Sequence, residues 1–382
     1  MAARRAPTAV VMLNMGGPSS LHGPVDGVGS FLSRLFSDGE IITLGPLQST
    51  LGPFIAKRRT PKIVEQYDAI GGKSPIGDWT RVQGKAMEAH LDKLSPETAP
   101  HKHYIAFRYA PPLTEETLKE MDADGVERAV AFSQYPHYSC TTTGSSMNHL
   151  WRESLRLGMG ERFKWSVIDR WPTQPTFIDA VKARINIGME QFPEEARDQV
   201  VVLFTAHSLP MKVVHKGDQY PQEIASTVQA VVQAFGPKQP KYTLAWQSKV
   251  GFLPWLGPST SEVIKGLGRQ GHKYVLAVPI AFTSDHIETL FEIDIEYAEE
   301  AEEAGITHFK RAPALNDEPL LAQAQAEIVA DHLKAGAVCT PQYRLNCSGC
   351  VNPACRTILN PIAPYAKLRD SYADASSVPT WP

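Results

Sequence analysis

No run of apolar residues approaches the roughly 18–20 that a membrane-spanning helix needs, so the expectation is a soluble or surface-bound protein. A basic excess is missing too. Lys and Arg number 38 against 41 Asp and Glu, a formal charge of −3. General nucleic-acid binding, which rests on a strong positive surplus, is not expected. Cysteine is scarce and odd in number, five in 382 residues, which does not make a disulfide scaffold. Glycine (27) and proline (30) stay well below the ~25–30% of low-complexity chains. The first seven residues are basic and free of acids, but a strand-like run begins at Thr8. They are too short for a transit peptide, so a presequence is either absent or removed.

What is present is ordinary globular composition, 43% hydrophobic and 21% charged. The length exceeds the roughly 250–300 residues at which single cores divide, so two lobes and an appendage are expected. Short apolar, β-branched runs recur at 9–13, 104–107, 129–132, 165–168, 200–204, 242–246 and 274–279. Helix-length amphipathic segments lie between most of them, at 80–94, 114–121, 176–191, 221–234 and 261–268. Short buried strands alternating with helices predict parallel sheets with crossover helices, an α/β fold of two Rossmann-like lobes. The expected division is 8–170 for the first lobe, with a lip at 27–56, then 171–330 for the second. An extension over 331–382 carries most of the cysteines. Ser259 and Glu262 are spaced as a capping box.

The strand exits carry the chemistry. Asn14-Met15-Gly-Gly-Pro18, Ser133-Gln-Tyr135-Pro-His-Tyr138, Thr205-Ala-His207-Ser-Leu-Pro210, Gln247-Ser248-Lys249 and Ala281-Phe-Thr-Ser-Asp285-His286 each follow a predicted strand. Ligands of open α/β sheets bind beyond the carboxyl ends of strands. Any one exit reads equally well as turn and cap residues; five together point to one shared cleft. His207 suits proton transfer near neutral pH or metal contact. Glu288, Glu292 and Glu296 fall at i, i+4 and i+8. On a 3.6-residue helix capped by Ser284 or Asp285 they form one stripe leaving the cleft, a route for protons or a divalent cation. A solvated acidic face has the same spacing. Arg58, Arg59, Lys62, Arg108 and Lys249 could hold carboxylates of an anionic ligand. His101-Lys-His103 has metal-like spacing, on what reads as a surface turn.

Cys347-x2-Cys350-x4-Cys355 supplies three thiolates for zinc or an iron–sulfur cluster, one short of four. Cys140, Cys339 or a histidine could complete the set, and loop entropy favours the nearby Cys339. The apolar stretch 31–55 precedes Lys57-Arg58-Arg59, as an interfacial element with cationic anchors would. A core helix would look the same.

Eight stretches, in order along nearly the whole chain, resemble the ferrochelatase family. They are Leu13-Asn-Met-Gly-Gly-Pro18, Phe54-Ile-Ala-Lys-Arg-Arg-Thr-Pro-Lys62, Tyr67-x3-Gly71-Gly-x-Ser-Pro-Ile76 and Phe107-Arg-Tyr109. The others are Gln134-Tyr-Pro-x-Tyr-Ser-Cys140, Ala206-His-Ser-Leu-Pro210, Trp246-Gln-Ser-Lys-Val250 and Phe282-Thr-Ser-Asp-His-Ile-Glu-Thr-Leu290. The resemblance implies a lyase that inserts ferrous iron into protoporphyrin IX, both being substrates, to close haem biosynthesis. It implies His207 as proton acceptor assisted by Glu288, with Asp285, Glu292 and Glu296 as an acidic path away from the ring. Met15, Arg59, Lys62, Tyr67, Ser74, Arg108, Tyr109, Tyr135, Ser248, Trp255 and His286 match porphyrin contacts, iron approaching near Met15 and Tyr67. The cysteine-rich tail resembles the branch of the family with a 2Fe–2S cluster, held by Cys140, Cys347, Cys350 and Cys355. A homodimer, and a lip resting on the matrix side of the mitochondrial inner membrane, are further implications. A chelatase for another tetrapyrrole, a haem carrier and an iron–sulfur redox sensor are the competing readings. The carrier would not need His207 and the acidic stripe together.

Overall fold

The computed structural model describes residues 5–41, 44–251 and 253–340. Cys347, Cys350 and Cys355 lie outside the described residues. Among the described residues, eight strands form two parallel four-stranded sheets. The first contains β1 (Thr8–Asn14), β2 (His101–Phe107), β3 (Arg128–Ser133) and β4 (Lys164–Ile168), in the order β2-β1-β3-β4. The second contains β5 (Val201–His207), β6 (Lys241–Gln247), β7 (Tyr274–Pro279) and β8 (His308–Arg311), in the order β6-β5-β7-β8. Both halves therefore repeat one winding: the first strand of each is central, its second and third strands flanking it. The seven predicted strands fall on β1 to β7. β8 was missed because His-Phe-Lys-Arg is a short, half-exposed edge strand without an apolar run.

The two-residue period of each strand sorts its side chains between cores. Val10 and Met12 of β1 face one way, into a single apolar body that also takes Val202 and Phe204 of β5 and Leu276 and Val278 of β7. Ala9, Val11 and Leu13 face the other way, into a smaller core with Leu118, Met121 and Trp165. One continuous core thus runs between the two sheets, so the lobes are packed together instead of merely tethered. The helix Pro175–Glu190 contributes Phe177, Ile178, Val181 and Ile185 to it, all buried. Each such side chain stabilises by ~1.5–3 kcal/mol relative to exposure. The helix Pro319–Ala335 begins with Pro at its first position and ends at Gly336, which supplies the left-handed φ of 61° that closes it. The Ser259–Glu262 capping box forms as expected, Glu262 accepting from the Ser259 N–H at 2.8 Å.

Two expectations change. His101 and His103 lie on β2, not on a surface turn. Each Nδ1 sits 2.7 Å from a carboxylate of the helix Ile76–Leu94, Asp92 and Glu88 respectively. Two residues along a strand and four along a helix both return to one face, so the pairs match. The apolar stretch 31–55 is divided between its two readings. Phe31, Leu32 and Phe36, in the helix Val28–Phe36, pack around Tyr67 and Tyr109, whereas Leu47 (58% exposed) and Phe54 (63%) face outward.

His137 is 1% exposed; its Nε2 bonds Thr227 Oγ1 at 2.7 Å and its Nδ1 is without a partner. Burial pushes its pKa down to about 3 from 6.5. A base whose folded pKa is depressed contributes stability above the unfolded value and loses it as pH falls toward the folded one, here between 6.5 and about 3. Denaturant unfolding at pH 7 and pH 5 should therefore reveal ~2 kcal/mol of acid destabilisation from this group. In His137→Leu the difference between the two pH values should shrink by that amount, even if the variant is weaker at both.

Candidate active site

In this winding the switch point lies between the first and third strands of each half, where crossovers depart in opposite directions. In the first half it falls between β1 and β3, whose exits carry Asn14, Met15 and Tyr135. In the second it falls between β5 and β7, whose exits carry His207 and the segment 280–288. The two switch points face each other. Met15 donates its N–H to Tyr135 Oη at 3.0 Å. Gly17 packs so closely that a Cβ there would sit 2.3 Å from Ser74 Oγ, so only glycine fits.

On the second-lobe side, two imidazoles flank one carboxylate. His207 Nδ1 lies 2.6 Å from the Ser208 carbonyl, and His286 Nδ1 lies 3.2 Å from the Ser284 carbonyl. A carbonyl only accepts, so each Nδ1–H donates there and each ring turns its Nε2 toward the carboxylate. These two Nε2 atoms approach opposite oxygens of Glu288, at 3.7 and 3.6 Å. Burial acts to raise the Glu288 pKa, but the His207 and His286 rings outweigh it and hold the carboxyl below its usual value. Trp255 lies 6.3 Å from the His207 ring centre.

Glu288 begins a stretch of π-helix, Glu288–Tyr297, and Ile287 rather than Ser284 or Asp285 precedes it as the cap residue. The i→i+5 pattern still leaves Glu288, Glu292 and Glu296 on one side, and such insertions gather at functional sites. It also explains a residue the sequence did not reveal. Tyr297 Oη donates to Glu292 Oε1 at 2.8 Å, an i to i+5 contact that a 3.6-residue turn would not aim. Glu292 further accepts from Gln247 Nε2 (3.0 Å), Ser248 N–H (2.8 Å) and Ser248 Oγ. Ser248 achieves both bonds at a φ of 63°, a strained backbone of the kind that clusters at active sites. Burial and the neighbouring Glu288 charge raise the Glu292 pKa, against the Ser248 and Tyr297 bonds. Burial and Glu292 raise that of Glu296, offset by Lys62. The line opens into a cavity of about 500 Å³, whose walls include Glu292, Glu296, Glu299, Glu300, Glu303 and Lys249.

A family model described as Ferrochelatase matches residues 7–333. The chain belongs to the ferrochelatase family. It is 55% identical over 354 residues to the mitochondrial ferrochelatase of Bos taurus, covering 92% of this chain and 84% of that protein. The corresponding human protein is 54% identical over 354 residues, 92% and 82% covered. That of Schizosaccharomyces pombe is 52% identical over 356 residues, 93% and 83% covered. Ferrochelatases are metal chelatases whose substrates are ferrous iron and a porphyrin.

Other expected porphyrin contacts of this ferrochelatase are distributed unevenly. Tyr67 is 3% exposed; burial and the Glu288 charge push its phenol well above the usual range, against a bond from Ser74. Burial and Glu288 do the same to Tyr135, against a backbone bond from Met15. Tyr220, absent from the sequence reading, shares that field at the start of the helix Tyr220–Ala234. Its ring lies 5.9 Å from Trp246. Arg59 stacks 5.5 Å over Phe36, and Lys62 is exposed on the same helix, Gln48–Ala69.

Arg108 and Asp285 each have partners within the protein. Arg108, 7% exposed, ion-pairs with Asp38 and with Glu40 (2.9 Å), while Tyr109 Oη donates to Asp38. Its Nη2 is held at the base of the lip, while its Nη1 is buried without a hydrogen-bond partner. Asp285 turns from the acidic line to Arg311 (3.0 Å) and Asn316. Arg108→Met should therefore lower unfolding free energy by about 3 kcal/mol, the cost of stranding a buried pair. A cation held in reserve for substrate would cost far less, and equilibrium denaturation distinguishes the two.

Proposed function

We propose that this chain inserts ferrous iron into protoporphyrin IX to form haem, with His207, Glu288 and His286 receiving the two pyrrole protons. One observation carries the reading: a carboxylate between two imidazoles whose Nδ1 protons are already committed to carbonyls. Such a group has basic sites on both flanks. The ring lies between Met15, Tyr67 and Tyr135 on one side and His207 and Glu288 on the other. Iron enters from the Met15 and Tyr67 side, so the departing protons and the arriving cation do not cross. A flat macrocycle hides its lone pairs, and closure of aromatic walls such as Trp255 on a bent ring exposes them.

Protons leave His207 through Glu288 to Glu292, whose raised pKa lets it hold one in turn. Glu296 passes it to the acidic cavity and solvent. Arg59, Lys62 and Ser74 hold the propionates. Neutral Tyr67 and Tyr135 keep the iron side free of a second anionic group.

The 2Fe–2S cluster is proposed on Cys140, Cys347, Cys350 and Cys355. Four thiolates suit iron–sulfur ligation, and burial supports Cys140 over Cys339. Cys339 is 3% exposed inside the apolar core of the first lobe, while Cys140 is half-buried at the start of a helical turn. Backbone bonds between Val167 and residues 338 and 340 also bring the extension back to the first lobe, which carries Cys140. The cluster, when bound, ties the extension to that lobe.

Peripheral attachment to the mitochondrial inner membrane, matrix side, is proposed through Leu47, Leu51 and Phe54, all exposed, with Lys57 and Arg58 beside them. Among the described residues no helix is long and apolar enough to cross a membrane. The family resemblance supports a homodimer, which sedimentation would test.

Anaerobic iron insertion, followed by loss of porphyrin fluorescence, tests the central reading. His207→Ala and Glu288→Gln should each lower kcat by ~10²–10⁴ while still binding porphyrin. Wild-type binding without fluorescence loss would replace the chelatase with a haem carrier. For the lip, Phe54→Ser with Leu47→Ser should weaken binding to anionic vesicles severalfold and leave detergent-phase kcat unchanged.

A further inference from the structure

The helix Ile76–Leu94 of the first lobe meets the segment that leads from β7 into the π-helix. At that seam stands Gln83, 3% exposed. Its Nε2 donates to the Thr283 carbonyl and to the Asn316 carbonyl, each at 2.8 Å. Both acceptors are carbonyls, so the chemistry itself orients the amide. Both hydrogens of one side-chain amide are thus committed to backbone of the opposite lobe.

What they hold continues directly into the cluster. Asn316, at a φ of 31°, closes two bonds on Asp285: it accepts from the Asp285 N–H at 2.8 Å and donates to Asp285 Oδ2 at 2.7 Å. Asp285 then accepts from the Thr289 hydroxyl at 2.9 Å. Thr283 adds a second tie across the seam, donating to the Gln134 carbonyl at 3.4 Å. Residues 283 to 289, which include His286 and Glu288, are therefore fastened to the first lobe by Gln83, with Thr283 as a weaker second tie. Packing alone does not explain it. Met87 and Leu91, buried on the same helix, show that an apolar side chain suits this face. A buried amide there costs free energy unless every bond is made.

We propose that Gln83 is a positioning residue for iron insertion. It sets the place of His286 and Glu288 against the porphyrin face of the first lobe. The inference rests on the reading of Glu288 and its imidazoles as the proton-handling group. A residue of this kind acts through placement, and displacement by about 1 Å can cost as much as 10²-fold in rate.

The test is Gln83→Met in the full chain, assayed anaerobically with ferrous iron and protoporphyrin. The expected result is a kcat lowered roughly tenfold or more, with porphyrin KM and fluorescence-titrated porphyrin affinity within about twofold. A wild-type kcat, or a loss confined to KM, overturns the proposal. A merely structural role would lower the melting temperature and leave the kcat of the folded fraction unchanged. Should Gln83→Met not fold, Asn316→Gly keeps the backbone conformation and deletes the bonds to Asp285. A fall in kcat at constant KM then supports the link, and an unchanged kcat overturns it. Glu288→Gln runs in parallel. If its kcat is normal, the underlying reading of Glu288 fails; if it is crippled while Gln83→Met is normal, only the positioning role fails.

Discussion

A half-buried carboxylate between two imidazoles whose Nδ1–H groups are committed to backbone carbonyls is the constraint on which this structure turns. Had either Nδ1 been free, its ring could have rotated or changed tautomer and satisfied Glu288 with an ordinary neutral hydrogen bond. The Ser208 and Ser284 carbonyls prevent that. The group gains its missing bonds only when protons arrive. The surroundings follow from this. Tyr67, Tyr135 and Tyr220 feel the same negative charge and stay neutral. Glu292, next in line, is pushed toward its protonated form despite four donors around it. Strain at Ser248 is the local cost of aiming two of those donors at once.

Such a group needs rigid walls, and the repeated winding supplies them. Each half places its switch point at the carboxyl end of its central strand, and the shared core presses the halves together so that the two points face each other. Chemistry-bearing residues therefore come from strand ends fixed by parallel ladders on both sides. The His207 backbone is aligned with Gln247 in β6, whose side chain reaches Glu292. Sites built on such ends hold their geometry better than sites on free loops.

Much of this was legible in the sequence, and for physical reasons. Central strands buried on both faces read as short β-branched runs, so β1 to β7 were visible while the half-exposed β8 was not. Polar residues directly beyond those runs, His207 and Ser248 among them, marked the cleft before any fold was known. The spacing of Glu288, Glu292 and Glu296 pointed to a stripe, since residues four apart stay on one side of either helix type. Long-range pairing was hidden. Nothing near Arg108 in sequence announces Asp38 and Glu40, so its ion pairs stayed hidden. The same holds for Asp285 with Arg311, and for His101 and His103 with two carboxylates of a distant helix. Tyr297 belongs to Glu292 only through a π-turn that the 3.6-residue period does not encode. Gln83 carried no signal, because a glutamine in an amphipathic helix looks like solvent-facing polarity until its two carbonyl partners are seen.

Counting protons in a single turnover tests the central claim most directly. Enzyme loaded with protoporphyrin in weakly buffered, oxygen-free solution is mixed with ferrous iron, and porphyrin fluorescence and a pH indicator are read together. The account predicts that in the wild type fluorescence falls first and two protons per porphyrin appear after a lag. In Glu292→Gln the lag should lengthen while the first fluorescence loss keeps its rate. Proton release that coincides with fluorescence loss in both proteins would contradict storage of the protons on His207, Glu288 and His286.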